Sequence, residues 1–229
     1  MKRGTRLRKP ILWGHHVNEY QAMFGLSNAE IRTRVLEYGC GPSAVNATLH
    51  HQGVCIVSLD PLFNQPLALL TEEVNSLFNA RLEQVLQNPL QFDVQEYGGI
   101  SAFIDSRRNG LNIFFKDYEQ GVAEGRYLEI PEHLPFAHHA FDFALVSHYL
   151  FIDTEIQHQL EIIQSLANIA NEVRIFPLID SQAQASPLLG PVLLGLQQAN
   201  YGVEVREVDY YLYPKGNAML RVWAQTCSV

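Results

Sequence analysis

Two hydrophobic periods alternate along the chain. Apolar residues at Val17, Tyr20, Met23 and Phe24 recur at helical spacing, which predicts an amphipathic helix over 15–25. Ser27 and Glu30 form a capping box for a second, short helix. A short strand follows over 34–38. Residues 43–51 read as a helix closed by Gly53, and 54–59 as a buried strand. Leu67, Leu70, Val74, Leu77, Phe78, Leu82 and Val85 share one face of a long helix over 66–87. Another helix is predicted over 111–123, with Phe114, Phe115, Tyr118 and Val122. A central strand over 141–147 precedes a helix over 154–171, a strand over 172–178 and a helix over 187–200 with Gly202 just past its end. Two closing strands, 203–212 and 218–226, are separated by Pro214-Lys215-Gly216-Asn217, a turn sequence.

This alternation predicts an α/β fold with a mainly parallel sheet. So short a link between the last two strands demands an antiparallel pair, which a plain doubly wound sheet lacks.

The 229 residues are 47% hydrophobic and 17% charged, enough apolar material for one good core and too much for a disordered chain. No apolar run is long enough to span a membrane, and the basic N-terminus lacks the apolar stretch of a secretory signal. Three cysteines without a CxxC spacing argue against a disulfide framework and a cysteine-built zinc site, and fit a reducing cytoplasm. Five of the 16 basic residues are Lys2, Arg3, Arg6, Arg8 and Lys9; the rest of the chain carries 11 basic against 24 acidic groups. So acidic a body disfavours nucleic acid as a partner.

The chemistry concentrates at the end of the first strand. Glu37, Gly39 and Gly41 form a glycine-rich turn that opens a helix, where backbone N–H groups are free. Asp60 closes the second strand, where a carboxylate can accept from two ribose hydroxyls. These residues describe a nucleoside-containing ligand across the strand ends. Gly39-x-Gly41-x-x-Ala44 also satisfies the loose dinucleotide fingerprint, so a nicotinamide-dependent oxidoreductase stays open. Glu37 weighs against it, because a carboxylate there suits an ammonium and repels a pyrophosphate.

The segment 35–43, Val-Leu-Glu-Tyr-Gly-Cys-Gly-Pro-Ser, resembles motif I of the class I S-adenosylmethionine (SAM)-dependent methyltransferases. Asp60 matches that family's ribose-binding acid. Leu134-Pro135-Phe136 before Phe141-Asp142 resembles its signature ahead of the fourth strand, and the closing antiparallel pair matches its topology. "GCGPSAVNA", "DPLF" and "LPFAHHAFDFALVSHYLF" are similar to a bacterial branch without an assigned substrate. The resemblance spans residues 35–226 and implies a single Rossmann-like domain over 1–229, with a seven-stranded sheet and helices on both faces. Residues 1–33 then form a basic tail and helices, and 64–125 a helical insertion over the acceptor site.

The resemblance implies that Glu37 holds the methionine ammonium, that Gly39 and Gly41 line the methionine and ribose, and that Asp60 binds the ribose. It places Pro61 and Leu62 against the adenine, Ile130 and Pro131 at its edge, and Ser147 and His148 before the sulfonium and the acceptor. His148 is the candidate general base. Ser43 replaces the third glycine, and Ser147-His148-Tyr149-Leu150 stands where amino-methylating relatives carry NPPY or DPPY. The expected function is methyl transfer from SAM, giving S-adenosylhomocysteine (SAH), to a small molecule or a protein side chain. A non-catalytic SAM- or SAH-binding partner is the alternative. The pairs His15-His16, His50-His51 and His138-His139 read as solvated surface rather than metal ligands. Tyr20 reads as helix packing, with capping of the cofactor pocket as its second reading. Tyr210–Tyr213 read as strand packing, and Arg107-Arg108 as a solvated loop.

Overall fold

The computed structural model describes residues 14–152 and 155–225; the basic tail and Cys227 lie outside them. The elements in order are α1 (Val17–Phe24), β1 (Val35–Tyr38), α2 (Val45–His51), β2 (Ile56–Leu59), α3 (Leu67–Gln87), α4 (Ile100–Ala123), β3 (Tyr127–Leu128), β4 (Phe141–Ser147), α5 (Ile156–Ile169), β5 (Ala170–Phe176), α6 (Leu189–Gln198), β6 (Tyr201–Glu207) and β7 (Ala218–Ala224). They form a seven-stranded sheet of order β3-β2-β1-β4-β5-β7-β6. The pairings from β3 through β5 are parallel, and β7 runs antiparallel to both β5 and β6.

Successive side chains of a strand face opposite sides, and the core obeys this. Val35, Leu145 and Met219 pack with α1 and α2 through Tyr20, Phe24, Val45 and Leu49. Leu36, Ala144, Val146, Ile175 and Leu220 pack on the other face with α5 and α6 through Ile163, Leu166, Val192 and Leu196. Glu37 therefore faces the α1/α2 side with Val35. A third cluster joins Phe78 of α3 and Phe114 and Tyr118 of α4 to Cys40, Leu62, Phe63 and Tyr127.

Four expectations change. First, α4 begins at Ile100, eleven residues earlier than the predicted 111, and absorbs Arg107. Gly110 is mid-helix, where α4 crosses Gly14 backbone against backbone. A Cβ at Gly110 would lie 1.9 Å from the Gly14 carbonyl oxygen. Gly110→Ala is expected to cost about 1–3 kcal/mol of stability, read by urea unfolding; an unchanged midpoint would contradict this contact. Second, β3 has two residues and no sequence signal. Third, β6 ends at Glu207, so Tyr210–Tyr213 lie in the β6–β7 loop rather than in a strand. Fourth, α4 is the crossover helix between β2 and β3, packed on α2 and β3, so only part of 64–125 is an addition to the sheet's own connections. No helix among the described residues is long and apolar enough to cross a membrane.

Candidate functional site

Glu37 sits on β1, Asp60 just past β2, Ile130 and Pro131 after β3, and Ser147 and His148 at the end of β4. In the order β3-β2-β1-β4 these are neighbouring strands, so the fold lines up all the expected residues along one edge of carboxyl ends. Gly39 and Gly41 turn the chain with φ of 63° and 61°, the left-handed region glycine enters without a Cβ penalty.

Asp60 ties this turn together. Its side chain accepts from the Gly41 N–H at 2.7 Å and the Leu62 N–H at 3.0 Å. It is buried, and burial pushes its carboxyl up to about 6 against those two hydrogen bonds. A carboxylate has about four lone-pair sites, so two remain for a ligand's hydroxyls.

Glu37 is fully buried. One oxygen accepts from the Ser58 hydroxyl; the other has no hydrogen-bond partner among the described residues. Burial pushes its carboxyl up to about 7, with the Asp60 charge adding to the shift and the contacts with Ser58 and Tyr20 opposing it. Ser58 is held in turn by Asn46 Nδ2 at 2.7 Å, whose Oδ1 accepts from Arg126 at 2.6 Å, and Asp117 grips Arg126 through both carboxylate oxygens. Sequence reasoning missed Ser58, Asn46, Arg126 and Asp117. The one signal available was Ser58, a polar residue in an apolar strand, which the register places beside Glu37.

Gly39 has a second use. A Cβ there would lie 2.2 Å from the Tyr149 ring, which packs on the glycine backbone and meets Tyr38 edge-on. Pro61 is exposed, and Leu62 is buried in the α3/α4 cluster. Ile130 and Pro131 are half-buried in the β3–β4 connection, beside which Asn64 donates to Glu129 at 2.9 Å.

His148 is buried at φ 56°, in the left-handed region that a non-glycine residue seldom adopts. Its backbone N–H donates to the Phe176 carbonyl at 2.8 Å, its Nδ1 lies 2.9 Å from Ser147 Oγ, and its Nε2 has no partner among the described residues. Burial, reinforced by His15, Arg81 and Arg107, holds its pKa well below the ordinary value.

The N-terminal segment and Arg107 adjoin the site and correct two expectations. His15 is buried rather than solvated, and stacks on His148 with ring centroids 5.3 Å apart at 20°. Its carbonyl accepts the Ala44 N–H at the start of α2. Arg107 is fully buried rather than in a solvated loop: it grips Glu19 through two nitrogens, lies 3.2 Å from His15 Nδ1, and stacks on Tyr97 and Phe103. Burial alone would push Glu19 up, but His15 and Arg107 hold it well below the usual carboxylate range. Tyr210 and Tyr213 fold back from the β6–β7 loop, Tyr210 onto Glu19 at 3.3 Å and Tyr213 beside the His148 ring. Tyr20, read first as packing, places its hydroxyl in the field of Glu37 and Ser147 without reaching hydrogen-bond geometry.

No group of three or more metal-ligating side chains occurs among the described residues. Two surface grooves, of about 610 and 490 Å³, run beside α3 and touch neither Glu37 nor Asp60. An unpaired buried carboxylate oxygen, two left-handed glycines and a second carboxylate with spare lone pairs make a donor set that fits an amino acid joined to a nucleoside.

No family model matches the chain. It is 25% identical over 224 residues to the uncharacterized protein MJ0045 of Methanocaldococcus jannaschii, covering 95% of this chain and 98% of that one. Among solved structures it is similar to a SAM-dependent methyltransferase from Aquifex aeolicus (14% identity, 92% of this chain and 89% of that one, TM-score 0.40). It is also similar to the bifunctional kinase-methyltransferase WbdD (16% identity, 93% of this chain, TM-score 0.48), of which it spans 40%. Strand order β3-β2-β1-β4-β5-β7-β6, with β7 antiparallel, is itself the Rossmann-like fold of the class I methyltransferases, and that is the fold of this chain.

Proposed function

We propose that the protein is a SAM-dependent methyltransferase acting in the cytoplasm on a small molecule or a protein side chain. The observation that carries this reading is the Glu37 oxygen: buried, unpaired, and beside the left-handed glycine turn at the end of β1. A buried carboxylate without a partner is costly, and an ammonium is the complement that offsets the cost.

When bound, SAM supplies a methyl group on an electron-poor sulfonium. Glu37 orients the methionine ammonium, and the Ser58–Asn46–Arg126 chain fixes the carboxylate that does so. Asp60 accepts from the ribose hydroxyls while keeping Gly41 in place. Gly39 and Gly41 pass the backbone along the ligand. Pro61, Leu62, Ile130 and Pro131 flank the adenine, with Leu62 setting the pocket floor from within the core. Ser147 and His148 face the transferring group. The deprotonated His148 Nε2 takes the acceptor's proton, and positioning and exclusion of water supply most of the rate.

Asp60→Ala is expected to remove detectable SAM binding while the far-ultraviolet circular dichroism stays native. Retained SAM affinity in a folded variant would contradict the site.

A further inference from the structure

Three polar atoms around the N-terminal segment and the end of β4 remain unexplained: Tyr20 Oη, His15 Nε2 and His148 Nε2 are buried without hydrogen-bond partners among the described residues. They belong to residues in one run. Tyr20 adjoins Ser147, Ser147 bonds His148, and His148 stacks on His15. Arg107 settles the state of His15. His15 Nδ1 faces two groups, the Arg107 guanidinium at 3.2 Å and the Glu19 carboxylate at 3.7 Å; a guanidinium has donors only, so with the nearer group as partner Nδ1 accepts and the ring proton is on Nε2. His15 therefore presents an unsatisfied N–H. Ser147 can accept from His148 Nδ1, which leaves the His148 Nε2 lone pair facing no donor.

Charge narrows the ligand. Arg107 is neutralised by its two-nitrogen grip on Glu19. Arg81, the other cation acting on His148, lies over the Phe92 ring 5.3 Å away and bonds Gln84. Against these stand the carboxylates of Glu19, Glu37 and Asp60. Among the described residues, His16 also acts on His15, and the rings against the imidazole pair are Phe176 and Tyr213 beside His148, Tyr20 and Tyr210 beside His15. Burial of both rings keeps them uncharged, so neither offers an anion a partner.

We infer that His15 and His148 together form the acceptor end of the site, and that the acceptor is an uncharged planar molecule carrying an O–H or N–H group, not a carboxylate or a phosphate. The inference rests on the methyltransferase reading and names its substrate class. The His15 N–H donates to the acceptor heteroatom and His148 Nε2 receives its proton. In the transfer, a lone pair of that heteroatom forms the new bond to the methyl carbon, the methyl–sulfur bond breaks with its electrons left on sulfur, and the proton ends on His148. Admission of the ring requires the segment holding His15 to shift. That segment is tied to α4 by Arg107 and to α2 by the His15 carbonyl.

The test uses full-length protein labelled with ¹⁵N-histidine and saturated with SAH, with saturation checked by calorimetry. Long-range ¹H–¹⁵N spectra are expected to show His15 protonated on Nε2. Phenol is expected to move the His15 and His148 ring signals saturably, and benzoate at equal concentration to leave them in place. Equal shifts with benzoate, or unmoved rings with phenol, would overturn the inference while SAH binding stood. Failure of SAH to bind would overturn the methyltransferase reading and the inference with it. His15→Phe is expected to weaken phenol at least fivefold; if that variant does not fold, the wild-type spectra decide.

Discussion

Glu37→Gln is expected to make the ligand-free protein more stable at pH 8 and to abolish SAM binding. Glutamine keeps an oxygen to accept from Ser58 but carries no charge to bury. The Glu37 carboxyl lies near 4.5 in the unfolded chain and is pushed up to about 7 in the folded one. The folded state thus binds the extra proton, and the stability this contributes is fully present below pH 4.5 and lost as pH rises through 7. At pH 8 the wild type carries a penalty of about 3 kcal/mol from this group, which glutamine removes. Wild type and variant should then melt together near pH 4 and diverge by roughly 6–12 °C at pH 8, at the usual ~2–4 °C per kcal/mol for a chain of this size. A variant less stable than wild type at pH 8 would mean that a chain donor already satisfies Glu37. Gained stability with lost binding is the trade expected where a strained group serves a ligand.

Arg107→Ala is expected to be among the most damaging substitutions, costing about 3–5 kcal/mol, because it leaves the Glu19 carboxylate buried without its ion pair. Arg107 and Glu19 are almost fully buried, and their pairing joins α4 to α1. The loss should also free His15, so exchange of the amides of residues 14–24 should quicken more than that of β4. Chemical unfolding and hydrogen exchange read the two effects. A cost below 1 kcal/mol would return Arg107 to the solvated role the sequence suggested.

Arg107 shows why part of this site was illegible. Arg107-Arg108 in a polar stretch looks like surface, and nothing local says that Glu19, 88 residues away, will neutralise one of the two. The same holds for His15, whose burial depends on the Gly14–Gly110 crossing. β3 left no trace because two residues cannot show a period. By contrast, β1, β2 and β4 were legible because buried parallel strands are short apolar runs, and a polar residue inside one stands out. Glu37 and Asp60 were found by their places beside the glycine turn and at the close of the second strand, and the structure sets both at neighbouring strand ends. The direction of Glu37, toward α1 and Tyr20, followed only once the sheet order and the helix on that face were known.

Calorimetric titration of the wild-type protein with SAM, in parallel with SAH and NAD, tests the central claim most directly. At pH 8 the account predicts micromolar binding of SAM and SAH and none of NAD. It also predicts affinity falling as pH drops below about 7, by up to about tenfold per unit, because the ammonium needs Glu37 ionised. Absence of adenosyl-ligand binding at pH 8, or NAD binding in its place, would contradict the account.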